Sequence, residues 1–199
     1  MENKFNEQDG LRVINQMISM ARGNLERGAG KYFLLWGYVT FLASVVHLLR
    51  LLIPVQDGFP SPGTIWGIAS LAGFVVTVAF IVMDWGKRRV KTYVGSVISN
   101  IWMGFGIGAL LVSILLSLSG QYSVFIYPAI TFLYTYALFV SSSAYRFRWM
   151  YIPVGICLVC FCSYGFISFL YFPLPMAIAL LSGNIIPGHI LNYKARKNV

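Results

Sequence analysis

Trp85-Gly86-Lys87-Arg88-Arg89-Val90-Lys91-Thr92-Tyr93 sets four cations between two apolar runs, residues 64–85 and 93–119. Each run is long enough to cross a bilayer as a helix, which needs roughly 20 apolar residues. Cations flanking short spans are retained on the cytoplasmic side. The stretch therefore predicts an integral membrane protein and orients every other segment of it.

Working outward from this loop gives six spans, at residues 31–53, 64–85, 93–119, 123–142, 149–171 and 174–193. The expected fold is all-α, a polytopic six-helix bundle over residues 31–193. A cytoplasmic segment, residues 1–30, precedes it, and a short basic tail, residues 194–199, follows it. Both termini are expected inside. With that arrangement every basic residue except Arg50 falls on the cytoplasmic side, which is the positive-inside pattern of an inner (plasma) membrane protein.

Composition agrees. Of 199 residues, 58% are hydrophobic and only 11% charged, the signature of membrane spans rather than a soluble domain. The net charge of +9 could suggest nucleic acid, but the cations sit beside spans instead of forming one basic domain, so no nucleic-acid partner is expected. Attraction to anionic headgroups is a secondary consequence. Residues 10–27 read as an amphipathic helix, with Leu11, Ile14, Met17, Ile18, Ala21 and Leu25 on one side and Arg12, Asn15, Ser19, Arg22 and Glu26 on the other. Such a helix lies in the membrane interface or docks a cytoplasmic partner. Gly28-Ala29-Gly30 reads as a flexible joint into the first span.

Polar residues inside spans are the candidates for function. Ser96, Asn100, Gly104 and Gly108 recur every fourth residue, a small, polar stripe suited to helix packing within the bundle or between copies. Pro187 cannot donate to the carbonyl of Gly183, which predicts a kink and a free acceptor beside Asn184. Asn184, Gly188 and Asn192 share a stripe, and His189 lies beside it, toward a cytoplasmic-side cavity or interface. Asn100 and Asn184 are expected to face the interior and, with His189 and Asn192, to form a candidate intramembrane polar site. Both asparagines open an Asn-Ile-x-x-Gly segment, at 100–104 and 184–188. Three spans per half would make this an inverted repeat of the kind that builds midplane sites in transporters. Plain hydrogen bonding between helices explains the same residues. His47 and Arg50, one turn apart near the outer end of the first span, are an outer-vestibule candidate or a snorkelling head group. Asp84 is expected to pair with the neighbouring cations at headgroup level.

No enzyme signature is found. Cys157, Cys160 and Cys162 lie together in an apolar run with no His, Asp or Glu nearby, as small hydrophobes do. There is no Gly-x-Ser-x-Gly and no His-Glu-x-x-His. His47 and His189 are expected at opposite sides of the membrane, so no shared metal, haem or other cofactor follows from them.

Ile18-Ser19-Met20-Ala21-Arg22, Leu35-Trp36-Gly37 and Ile186-Pro187-Gly188-His189-Ile190-Leu191-Asn192 give the chain a layout that resembles small, uncharacterised bacterial six-span inner-membrane proteins. The resemblance implies an architecture and no activity. Two functions are expected from the whole reading. One is a non-enzymatic membrane module that packs as a bundle or oligomer and binds a cytoplasmic protein. The other is a small transporter or channel for a neutral solute around Asn100 and Asn184.

Overall fold

The apolar runs on either side of the basic loop are helices: α2 spans Pro62–Asp84 and α3 spans Tyr93–Leu118. In this computed structural model, residues 7–53, 60–85, 93–145 and 148–197 are described, without the side chains of 7–29, 145 and 194–197. The expected pairing of Asp84 within the Lys87–Lys91 loop, the amphipathic faces of 10–27 and the basic tail fall outside these residues and side chains. The remaining helices are α1 (Glu7–Leu52), α4 (Ile126–Tyr145), α5 (Tyr151–Ser163), α6 (Pro173–Leu180) and α7 (Ile186–Lys197). Among the described residues, five helical stretches are long and apolar enough to cross a membrane: Gly30–Leu52, Pro62–Asp84, Tyr93–Leu118, Ser123–Ala144 and Phe169–Tyr193.

Local chemistry sets the boundaries. Ser61, extended at φ −62° and ψ 157°, accepts the backbone N–H of Thr64 at 3.2 Å and caps α2, and Pro62 follows at the first helical position, where its missing donor costs nothing. Between α3 and α4 the chain reverses at Gly120, whose φ of 64° is open to glycine and disfavoured for L side chains. A short 3₁₀ turn, Ser123–Phe125, then leads into α4, with Pro128 in the first turn.

Two expectations are corrected here. The backbone of α1 is helical without a break through Gly28-Ala29-Gly30, so no joint separates the N-terminal helix from the first span. The run at 149–171 is also not one helix. The helical stretch Arg148–Ser163 is about 24 Å long at ~1.5 Å per residue, shorter than a ~30 Å hydrocarbon layer. It ends in turns in which Gly165 and Phe166 bond back to Cys162 and Ser163, and Ser168 is extended before a 3₁₀ turn at Phe169–Tyr171.

At Pro187 the helix widens rather than simply losing a bond. Leu181–Ile185 is a π turn joining α6 to α7, and the N–H of Ile186 reaches the carbonyl of Leu181, five residues back. A wider turn immediately before the proline absorbs the displaced hydrogen-bond register.

The α6–π–α7 stretch is the most buried of the five and forms the centre of the bundle, with α1 packed along its length. Apolar burial gains little when the alternative is lipid, so close backbone approach has to supply the contact. It does so at glycines. A Cβ on Gly37 would stand 2.9 Å from Cβ of Asn184, and one on Gly188 would stand 2.9 Å from Cδ2 of Leu34. α2 runs antiparallel to α1: Lys31 pairs with Asp84, Trp36 Nε1 donates to Thr77 Oγ1 at 3.1 Å, and Arg50 donates to the carbonyl of Pro60 at 2.7 Å. Asp84 thus has a cation on α1. The Lys31 ammonium also lies 4.9 Å from the ring centre of Phe80, a cation–π contact.

On α3, Ile98, Trp102 and Phe105 turn inward. Trp102 packs edge-on to Phe33 of α1, and Phe105 packs on Tyr134 of α4. Met150, Cys157, Met176 and Leu180 complete the core from the second half of the chain.

Candidate functional site

The polar residues of the interior are carried mainly by α4. Tyr127, Thr131, Tyr134, Thr135, Ser141 and Ser142 are spaced three, four or seven residues apart or lie next to one another, which places them on one helical stripe. Tyr134, Thr131, Thr135, Ser141 and Ser142 are all buried. The stripe meets α1, α2, the end of α5 and the π turn at successive depths.

At one end it meets α1 and α2. The indole N–H of Trp66 donates to the Tyr127 hydroxyl at 3.0 Å and lies 3.2 Å from Nδ1 of His47, which itself bonds the Tyr127 hydroxyl. An indole N–H can only donate, so Trp66 shares its one hydrogen between the Tyr127 hydroxyl and Nδ1 of His47. His47 is buried within this trio, while Arg50, one turn further, reaches outward to Pro60. The two outer-vestibule candidates therefore turn to different partners.

One turn deeper, the hydroxyls of Thr131 and Tyr164 are 2.9 Å apart. Deeper again, the Tyr134 hydroxyl donates to Oδ1 of Asn184 at 2.9 Å. Asn184 belongs to the π turn and is 4% exposed, pressed against Gly37 of α1. Gly183 beside it makes room for Tyr134: a Cβ there would overlap the hydroxyl oxygen. Further along the stripe, Ser142 bonds the carbonyl of Leu138 at 2.7 Å. The hydroxyls of Ser44 and Ser141 are buried without a hydrogen-bond partner among the described residues.

The four residues expected to share an intramembrane site do not come together. Asn184 is buried on Tyr134. Asn100 is exposed on the face of α3 opposite Ile98 and Trp102, which corrects its expected inward orientation. His189 is exposed and hydrogen-bonded with the Tyr38 hydroxyl at 2.8 Å, away from the Asn184 contact. Asn192 is half-buried against Gly30.

The stripe Ser96, Asn100, Gly104 and Gly108 does not pack inside the bundle as a unit. Ser96, Asn100 and Gly104 are exposed, whereas a Cβ on Gly108 would stand 3.8 Å from Cδ1 of Leu133. The cause is geometric. A step of four residues advances about 400°, so such a stripe drifts by about 40° per step and Gly108 has rotated toward α4. The two Asn-Ile-x-x-Gly segments accordingly occupy opposite environments, one facing outward and one at the centre.

The partners of Asn184 and His47, namely Tyr134, Tyr127 and Trp66, are the residues that sequence reasoning passed over. The signal was present in the inward spacing of polar residues along α4. A groove of about 710 Å³ between α5 and α6 is wholly apolar, lined by Ile152, Val159, Ile167, Tyr171, Leu174 and Ile178 among others. Among the described residues no three His, Cys, Asp or Glu side chains converge as a metal site would require. Compared with known proteins, the chain matches no family model, no curated protein and no solved structure.

Proposed function

We propose that the chain is a non-enzymatic, six-span module of the bacterial inner membrane, with both termini in the cytoplasm; the short α5 makes its crossing alongside α4, from Met150 beside Ser142 to Tyr164 beside Thr131. It assembles with further copies and docks a cytoplasmic protein through residues 10–27. The observation that carries this reading is the contrast between its two kinds of surface. The larger interior polar side chains pair with one another, at Tyr134–Asn184, Tyr127–His47 and Thr131–Tyr164, and Gly37 and Gly183 bring α1 and Tyr134 close around Asn184. The helices α2 and α3 meanwhile leave most of their length uncovered. A compact centre whose outer helices each keep a broad free face suits assembly. The test is a count of photobleaching steps from fluorescently labelled protein in liposomes of native lipid. Two or more steps per spot at low density support the reading; single steps at all densities overturn its assembly part.

A transporter reading has one observation in its favour. The π turn at Leu181–Ile185 places a buried asparagine within the membrane at an interrupted helix, where transporters bind solutes. Liposome-swelling assays with small neutral polyols test it. Flux that exceeds empty liposomes and falls in Asn184→Leu supports transport; swelling equal to that of empty liposomes rejects it.

A further inference from the structure

We propose that the outer face of α3 is the seam of a parallel homodimer, in which Asn100 of one copy hydrogen-bonds Asn100 of the other. The inference rests on the assembly part of the function proposed above and specifies its surface. Seven residues define the face: Ser96, Asn100, Gly104, Ile107, Leu111, Ile114 and Leu118. All are exposed. At ~100° per residue they fall within about 80° of one another and directly opposite the core-facing Ile98, Trp102 and Phe105. From Asn100 onward the steps are four, three, four, three and four residues. That alternation is the seam of a left-handed helix pair, the commonest packing between helices in membranes.

The occupant follows from Asn100. α3 is 26 residues long, about 39 Å, and Asn100 lies seven residues, about 10 Å, past Tyr93. If the ~30 Å hydrocarbon layer is centred on the helix, the carboxamide sits about 6 Å inside it, too deep for water or headgroups to satisfy it. No hydrogen bond to this side chain occurs among the described residues. A carboxamide carries both a donor and an acceptor, so two copies related by a two-fold axis satisfy each other with no second residue type. Copies inserted in the same orientation share an axis along the membrane normal, which brings equal depths together. A Cβ on Gly104 would meet nothing within 4 Å, so one turn from the asparagine the backbone is open to close approach. A single asparagine at such a seam also sets register and the number of strands.

Disulfide trapping in native membranes tests the seam. Ile107→Cys and Leu111→Cys are made singly, with Leu71→Cys on the exposed face of α2 for comparison. Each also carries Cys162→Ala to remove the exposed native thiol. Oxidation is expected to give covalent dimers at positions 107 and 111 and none at 71. In photobleaching counts, Asn100→Ala is expected to raise the dimer dissociation constant by about threefold to thirtyfold, the range for hydrogen bonds between membrane helices. Asn100 is exposed on the bundle, so this variant leaves the core unaltered. Dimers that trap at 71 and not at 107 or 111 overturn the seam while leaving assembly standing. Monomers throughout overturn both. An unchanged dissociation constant in Asn100→Ala overturns the asparagine pairing.

Discussion

Gly183→Ala is the sharpest probe of the centre. The added Cβ overlaps the Tyr134 hydroxyl oxygen and stands 2.9 Å from Cδ2 of Leu138 and 3.1 Å from Cζ of Tyr134. Tyr134 is 3% exposed and has little freedom to retreat, because Trp102 and Phe105 close on its ring at centroid distances of 6.0 Å. Overpacking of this kind costs about 1–3 kcal/mol. Moving the hydroxyl also loses its bond to Asn184, worth about 0.6–1.7 kcal/mol between membrane helices. Alanine regains up to about 1 kcal/mol of helix propensity over glycine. The net expectation is a loss of about 1–4 kcal/mol. In a Tyr134→Phe background the hydroxyl and its bond are already gone, so the same substitution should cost about 1 kcal/mol less. Gly155→Ala, with nothing within 4 Å of the new Cβ, controls for propensity and should be neutral or mildly stabilising. Equilibrium unfolding in mixed SDS–detergent micelles reads all four variants. Equal losses for Gly183→Ala with and without the Tyr134 hydroxyl would refute the steric argument, as would wild-type stability of Gly183→Ala.

Two further outcomes are expected. Asp84→Lys alone should lower thermal stability in detergent, by about 1–3 kcal/mol, because it opposes Lys31 at a partly buried contact; adding Lys31→Asp should restore most of the loss, and a double variant no better than the single would count against the pair. Impermeant thiol reagents applied outside intact cells should label a cysteine placed between Gln56 and Gly63 and spare one placed between Lys87 and Lys91, the reverse pattern contradicting the orientation drawn from the basic loop.

Much of the layout is legible in the residues themselves. Runs of apolar residues mark where helices can cross, and prolines and glycines mark where they stop, as at Pro62 and Gly120. The proline at 187 correctly signals a disturbed helix at Gly183, although its form, a π turn, depends on how the freed register is taken up by the neighbours. The run at 149–171 shows the limit of this reading. It is apolar throughout, yet the helix stops at Ser163, where the N–H groups of Tyr164, Gly165 and Phe166 turn to carbonyls three residues back and the Tyr164 hydroxyl finds a partner in Thr131.

Inside and outside along each helix were decided only by the tertiary structure. In water, a polar residue marks the outer face of a helix, and the pattern can be read directly. In a membrane both faces are apolar, so an asparagine in a span demands a partner without saying which side that partner is on. Asn100 and Asn184 open the same five-residue pattern and received opposite answers. Asn184 points inward because Gly37 and Gly183 let α1 and Tyr134 close around it, whereas Asn100 points outward because Ile98, Trp102 and Phe105 on the other side of α3 fill the core more completely. Long apolar runs are enough to carry the chain across a membrane as helices; the volumes of residues far apart in the chain decide which face of each helix meets its neighbours.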